Sequence, residues 1–548
     1  MKELIKDAIV YQIYPKSFQD SNGDGIGDLQ GIIKRLDYFN YLGINVIWLC
    51  PIYKSGGVDG GYDIADYKNI EKQFGTLEDF EELLKQAHKR EIRVIMDLVV
   101  NHTSDKHNYF IESKSSKTND KSDWYIWRDP KEDGEEPSPI TSVFSGSAWQ
   151  YDETRKQYYL HMFAKGQPDL NWDNPKVRDD VYSMMSWWMD KGIDGFRMDV
   201  ISLISKSKSF LENGGTIIDN ANGPNMNKYL KEMHQKVLSK YNVMTVGEAP
   251  DISVDQAKKM VNEEEKELDM IFNFDHITLE DNEYGKWNLN RYSMPEFREV
   301  LVKWQKGLKK SGFNSLFIGN HDQPRVVSRF GNDTSKLFWE KSAKMLATSL
   351  YCLKGTPYIF QGDEIGMTNT QIDSIEQSQD VEAINAYKEL VDERGVYSPE
   401  TMMDCIRSKG RDNSRTPVQW DDNINAGFSE TKPWTQLNPN YKEINIEQQI
   451  LDENSILQYY RKLIALRKNE SVLRDGKFDI LLEDDTNIFA YSRTIDSQKA
   501  IIVCNYSDKG SSLEKKLIKK LKKLDLILSN YNENNSSILK AYESRIYM

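Results

Sequence analysis

Eight short apolar runs, each ending in a polar or acidic residue and each followed by a long helix-like stretch, set what this chain can fold into. They are IVYQIYP (9–15), INVIWLCP (44–51), RVIMDLVVNH (93–102), GFRMDV (195–200), NVMTVGE (242–248), MIFNFDH (270–276), SLFIGNHD (315–322) and TPYIFQGDE (356–364). Strands that are apolar throughout and alternate with helices need a parallel sheet covered by helices. The intervening stretches have the helical period: LEDFEELLKQAHKR (77–90) puts Leu77, Phe80, Leu83, Leu84 and Ala87 on one face. Eight runs fit a closed α/β barrel, a (β/α)8 TIM barrel, better than an open doubly wound sheet. No GxGxxG follows the first run, which further weakens a dinucleotide-binding alternative.

Two intervals depart from this rhythm. After His102 about 65 residues pass that are polar, aromatic and turn-rich, DWYIWRDPKEDGEEPSPITSVFSGSAW (123–149) among them. They predict a subdomain inserted after strand three, residues 103–168, on the rim of a barrel formed by residues 1–102 and 169–473. From residue 474 to 548, KFDILL, IFAYSRTI and KAIIVCNYS predict a C-terminal antiparallel β domain. Within it Lys515, Lys516, Lys519, Lys520, Lys522 and Lys523 alternate with leucines. The pattern reads as a solvated helix face in preference to a membrane-surface helix.

Composition removes several function classes. With 72 Lys+Arg against 85 Asp+Glu, a formal charge of −13, no global basic footprint for nucleic acid exists. The four cysteines, Cys50, Cys352, Cys405 and Cys504, form no CxxC pair, so neither a disulfide framework nor a zinc site is expected. The start MKELIKDAIVYQIYP lacks a cleavable leader pattern, and no apolar run reaches the roughly 20 residues that span a bilayer. A cytoplasmic protein without membrane contact is expected. Its oligomeric state is left open.

In a βα barrel the reactive groups lie where strands end. Asp199, Glu248 and Asp322 close three of the runs, 49 and 74 residues apart, which suits strands four, five and seven. Three carboxyls on one rim repel, and that can keep one protonated near neutral pH. Glycoside hydrolysis needs this combination: one acid to protonate the leaving oxygen and one carboxylate to attack or to activate water. Arg197 shares a strand face with Asp199 and can keep it ionised and oriented.

The segments DLVVNH (97–102), QPDLNW (167–172), GFRMDV (195–200), VGEAPD (246–251) and FIGNHD (317–322) resemble, in order, the signatures of the α-amylase superfamily, glycoside hydrolase family 13. The resemblance runs over essentially the whole chain. It implies a retaining mechanism with Asp199 as nucleophile, Glu248 as general acid/base and Asp322 as stabiliser of the oxocarbenium-like transition state. It implies His102 and His321 in the −1 subsite, with Tyr62 and Asp63 stacking on and hydrogen-bonding the terminal glucose. Phe163 and Gln167 are implied as further lining. Arg411 is implied to pair with Asp63 and close the pocket, with Arg415 nearby; a loop salt bridge is the alternative reading of both arginines.

Within the family, GFRMDVISLISK (195–206), NHDQPRVVSRFGND (320–333), GTPYIFQGDEIGMTN (355–369) and GRDNSRTPVQWDD (410–422) are most similar to bacterial oligo-1,6-glucosidases and related α-glucosidases. That implies exo action on short oligosaccharides, and Val200 after the nucleophile goes with α-1,6 preference. The alternatives are a trehalose-6-phosphate hydrolase, then a sucrose-acting hydrolase or isomerase. Non-catalytic, transporter-associated relatives have lost the acids that this chain keeps. One departure concerns GGVDGGYD (56–63), where relatives commonly carry a more polar loop, so outer-subsite preference does not carry over.

A second constellation is DSNGDGIGD (20–28). Asp20, Asn22, Asp24, Ile26 through its carbonyl, and Asp28 offer oxygen ligands at EF-hand-like spacing, which predicts a hard cation, Ca²⁺. Gly31 stands where an EF-hand has its bidentate Glu, so the loop is not a true EF-hand. A plain Asx/Gly turn is the alternative. Relatives use the same loop as a structural calcium site, remote from the chemistry.

Overall fold

A computed structural model describes residues 3–262, 267–309, 311–533 and 537–548. Each of the eight runs contains one strand of a parallel sheet: β1 Val10–Ile13, β2 Val46–Leu49, β3 Arg93–Leu98, β4 Gly195–Met198, β5 Met244–Glu248, β6 Met270–Phe272, β7 Ser315–Leu316 and β8 Thr356–Phe360. Their order is β6-β5-β4-β3-β2-β1-β8-β7, so the ladder runs round the barrel and stops only between β6 and β7.

The two-residue period of the strands sorts side chains between lumen and helices. Val10, Val46, Ile95, Met244 and Met270 form an apolar cluster with Trp48, Val246, Phe272 and Tyr358 inside the barrel. Tyr11, Ile47, Val94, Phe196 and Ile271 face the larger core under the helices. On the inward parity the strands then turn polar: Gln12, Asp97, Arg197 and Glu248 are all buried at or near the carboxyl ends. The lumen is thus apolar below and charged above, which places the chemistry on the upper rim.

Helix α1, Leu77–Lys89, shows how the covering layer is specified. Thr76 and Asp79 form a capping box, and Phe80, Leu83, Leu84 and Ala87 are buried on one face. Each large apolar side chain so removed from water contributes roughly 1.5–3 kcal/mol. Helix α2, Pro175–Asp190, starts with Pro at its first position behind an Asn174 cap and leads into β4.

Between β3 and α2, strands Trp127–Arg128, Gln157–Leu160 and Trp149–Asp152 form a small antiparallel sheet. Its core includes Phe210, which follows β4, so the insertion packs on that segment as well. A second excursion follows β8. Residues 371–409 carry helix α3, Val381–Tyr387, and a helix at Pro399–Lys409, with a core of Trp287, Ala383, Ala386, Met402 and Ile406.

The C-terminal sheet is antiparallel, with β9 Lys477–Ile480, β10 Ile488–Ile495, β11 Gln498–Asn505, β12 Leu526–Ser529 and β13 Ser544–Tyr547 in the order β9-β10-β11-β13-β12. Helix α4, Lys515–Leu521, buries Leu517 and Leu521 against it, while Lys515, Lys516, Lys519, Lys522 and Lys523 are exposed. The lysine run is the solvated face of that helix. Among the described residues no helix is long and apolar enough to cross a membrane.

Candidate active site

The floor of the site is one buried guanidinium among three carboxylates. Arg197 on β4 donates from Nη1 to Asp97 Oδ1 and to Asp199 Oδ1, both at 2.8 Å, and its Nη2 lies 2.5 Å from Glu248 Oε2. Asp97 is fixed from behind by Trp48 Nε1 and the Tyr62 hydroxyl, each 3.0 Å from Oδ2. Three carboxylates crowd one cation, so their charges repel one another across the lumen. Burial raises the Asp199 pKa well above the carboxylate range; Arg197 opposes this, and the Glu248 and Asp97 charges add to it.

Val200 links the two acids. Its backbone N–H donates to Glu248 Oε2 at 3.0 Å, and it sits at φ 34, ψ 42, a left-handed conformation that is costly for a β-branched residue. Such strain persists only where the surroundings over-determine it. Here the N–H to Glu248, next to the candidate nucleophile, does so.

Asp322 follows β7 and keeps a side chain 31% exposed, the most open of the three acids. Arg415 Nη2 lies 2.8 Å and Arg411 Nη1 3.2 Å from its Oδ1. His321 Nε2 lies 3.0 Å from Oδ2, within ion-pair distance but without hydrogen-bond alignment. Against the cost of burial, His321, Arg411 and Arg415 hold the Asp322 carboxyl well below the usual range. The His321 ring stacks on Tyr62, with centroids 4.9 Å apart, and Gln12 Nε2 is 2.8 Å from its Nδ1. His102 Nε2 donates to the Tyr62 carbonyl at 3.1 Å, and burial keeps that imidazole neutral by lowering its pKa. The Phe163 ring lies 5.1 Å from that of His102.

The pairing of Arg411 with Asp63 does not form. Asp63 is fully buried and turned into its own loop, accepting from Ser55 Oγ, Val58 N and Asp59 N at 2.8, 3.1 and 3.2 Å. Asp59 takes the expected place, 3.1 Å from Arg411 Nη2 and 3.2 Å from Gln167 Nε2. The chain reverses at Gly60 and Gly61, φ 55 and 106, where a side chain at Gly60 would meet the Tyr14 hydroxyl at 2.8 Å and Arg415 Nη1 at 3.3 Å. The two glycines let the loop press against Arg415 while presenting Asp59. The other residues expected in the pocket, Tyr62, His102, Phe163, Gln167, His321, Arg411 and Arg415, are brought together round the three acids.

Several neighbours escaped sequence reasoning. Asp97 stands inside the DLVVNH segment, and Asp380 and Glu382 flank the end of the pocket from the second excursion. Lys206 is buried, with Nζ 2.6 Å from both Asp169 and Asn101 Oδ1, and ties the QPDLNW segment to the rim. Asp169 and Lys206 both sit in segments that carried the resemblance, which was their available signal.

In the 20–28 loop the donors wind into successive Asx turns. Asp20 Oδ1 accepts from Asn22 N and Gly23 N, Asn22 Oδ1 from Asp24 N, and Asp24 Oδ1 from Ile26 N, at 2.8–2.9 Å. Asp28 caps the following helix through Gly31 N. Against burial, the Ser429 hydroxyl and the Gly25, Gly23 and Asn22 amides lower the Asp20 pKa. The donor set is oxygen only, which suits a hard cation; among the described residues no three acidic, His or Cys side chains converge as a cage.

The chain is similar to known proteins over nearly its whole length. Residues 12–476 match the family model described as alpha amylase, catalytic domain. An oligo-1,6-glucosidase of Bacillus cereus is 52% identical, covering 100% of this chain and 99% of the relative. Among solved structures, a trehalose-6-phosphate hydrolase of Bacillus licheniformis superposes with a TM-score of 0.93 at 44% identity, covering 99% of each chain. The isomaltulose synthase of Protaminobacter rubrum gives 0.94 at 39% identity, covering 100% of this chain and 99% of that one.

Proposed function

The chain belongs to the α-amylase family of glycoside hydrolases, and we propose that it removes terminal, non-reducing α-1,6-linked glucose from short isomalto-oligosaccharides with retention. The observation that carries this reading is the ion-pair cluster beside the acids: Arg411 pairs with both Asp59 and Asp322, and so placed it would wall off the space behind a terminal sugar. A glucan chain cannot run through such a wall, so only a chain end enters. Val200 beside the nucleophile supports the linkage preference.

The chemistry follows from the floor. Asp199 attacks the anomeric carbon while Glu248 gives its proton to the departing glycosidic oxygen, forming a glycosyl ester and releasing the shortened sugar. Glu248, now a carboxylate, takes a proton from water, whose oxygen attacks the same carbon and frees Asp199. Arg197 holds both carboxylates in register and keeps Asp199 able to ionise. Asp322, held ionised by its two arginines, faces the positive charge that develops on the sugar.

The likeness to trehalose-6-phosphate hydrolase and isomaltulose synthase makes those activities the competitors. Arg411, Arg415 and Lys286 are each paired to carboxylates, so none of the three is left for a phosphate. The test is a set of initial rates on isomaltose, maltose, sucrose, trehalose and trehalose 6-phosphate. Isomaltose is expected to lead; trehalose 6-phosphate leading by orders of magnitude would reject the substrate assignment and leave the mechanism standing.

One structural Ca²⁺ is also proposed at Asp20, Asn22, Asp24, Ile26 and Asp28, supported by the all-oxygen donor set on a preformed loop, where an ion would hold the loop rather than enter the reaction. Four unpaired, buried cysteines support a reducing compartment, the cytoplasm.

A further inference from the structure

We propose that Asp380, at the head of α3 in the 371–409 excursion, is the positioning residue that aims Arg411 into the end wall, so that the excursion sets the requirement for a terminal glucose. This rests on the α-glucosidase reading above.

Arg411 is gripped along one edge and presented along the other. Asp380 Oδ1 accepts from Arg411 Nε at 2.7 Å, with Nη2 equally near, and Oδ2 accepts from the Arg411 backbone N–H at 3.1 Å. The remaining N–H groups reach Asp59 and Asp322. Asp380 is itself tied into the fold: it is fully buried, and Oδ1 also caps α3 through Glu382 N at 2.9 Å. Glu382 Oε2 stands 3.4 Å from Arg411 Nε and is tied to Lys286 at 2.6 Å. Burial works against the charge of Asp380, but Arg411, Lys286 and Arg415 hold its pKa at about 2, so the grip is ionic near neutral pH.

The excursion also touches the inserted subdomain. Asn385 on α3 donates to the Phe144 carbonyl at 3.0 Å, and the Arg411 guanidinium lies 5.0 Å from the Phe144 ring centroid. The end wall is therefore one unit built from two excursions with Arg411 between them.

Loss of the grip should separate binding from chemistry. Asp322 keeps Arg415, which is anchored independently on the His321 carbonyl at 3.1 Å, and Arg197 with its acids is untouched. Asp59, by contrast, depends on Arg411 as its cationic partner.

The experiment is a double-mutant cycle on isomaltose with D380N, R411M and the pair, each checked by thermal melting. Expected is a KM at least tenfold higher in D380N with kcat within threefold, and less than a further twofold change when D380N is added to R411M. An unchanged KM, or the same loss in both backgrounds, would overturn the proposal. If D380N does not accumulate folded, E382Q serves: KM raised at least threefold with kcat held supports it, and no change rejects it. Wild-type protein inactive on isomaltose would instead sink the substrate reading, and the cycle would then be run on the best α-glucoside of the panel.

Discussion

Arg197 is the residue on which the chemistry depends, because one side chain orients both reacting acids. R197M leaves Asp97, Asp199 and Glu248 buried without a counter-charge, and kcat should fall at least 10²-fold, on the order of 3 kcal/mol of lost transition-state stabilisation, as read by steady-state kinetics. The raised Asp199 pKa gives a pH prediction. Attack needs the carboxylate, so kcat/KM should fall on the acid side at a pH above the ordinary carboxylate value of about 4, visible in a pH–rate profile. Residue-level reading was sharp where a side chain had a strand end to sit on, as for Asp199, Glu248 and Asp322. It failed at Asp63, because two aspartates four residues apart flank a glycine turn whose left-handed backbone decides which one faces the pocket. Strand and helix periods carry no information about that choice.

Among the elements, the barrel strands were legible because burial on both faces leaves continuous apolar runs, and the rim shows as the first polar residue of each. The insertion was legible from the length of its interruption. The excursion at 371–409 was not: its helices are short, and its core joins Trp287 to residues about a hundred positions later, a pairing that no local period records. Two predictions belong here. Val200→Thr, beside the nucleophile, should raise the maltose-to-isomaltose rate ratio at least tenfold; an unchanged ratio would separate linkage preference from this position. At the end of β8, burial pushes Asp363 to about 7, with Arg325 opposing and Glu364 adding. Its folded pKa exceeds the unfolded value, so stability present below pH 4 is lost as pH rises towards 7. D363N should therefore flatten the fall in melting temperature between about pH 4 and 7.

At the scale of the whole molecule, three units share one rim: the barrel supplies the acids, the two excursions supply the wall, and the 20–28 loop caps the helix Leu29–Lys34 through Asp28. If that loop holds Ca²⁺, chelation should lower the melting temperature by several degrees and added Ca²⁺ should restore it, with kcat on remaining folded enzyme unchanged. No shift on chelation would leave the loop as a turn held by its own amides. The central claim is double displacement on an α-1,6 glucoside by Asp199 and Glu248. It is tested most directly by following isomaltose hydrolysis with proton NMR, wild type beside D199N. Glucose released from the non-reducing end should appear first as the α anomer and mutarotate later, and D199N should be inactive. First-formed β-glucose, or a D199N variant that still turns over, would contradict it.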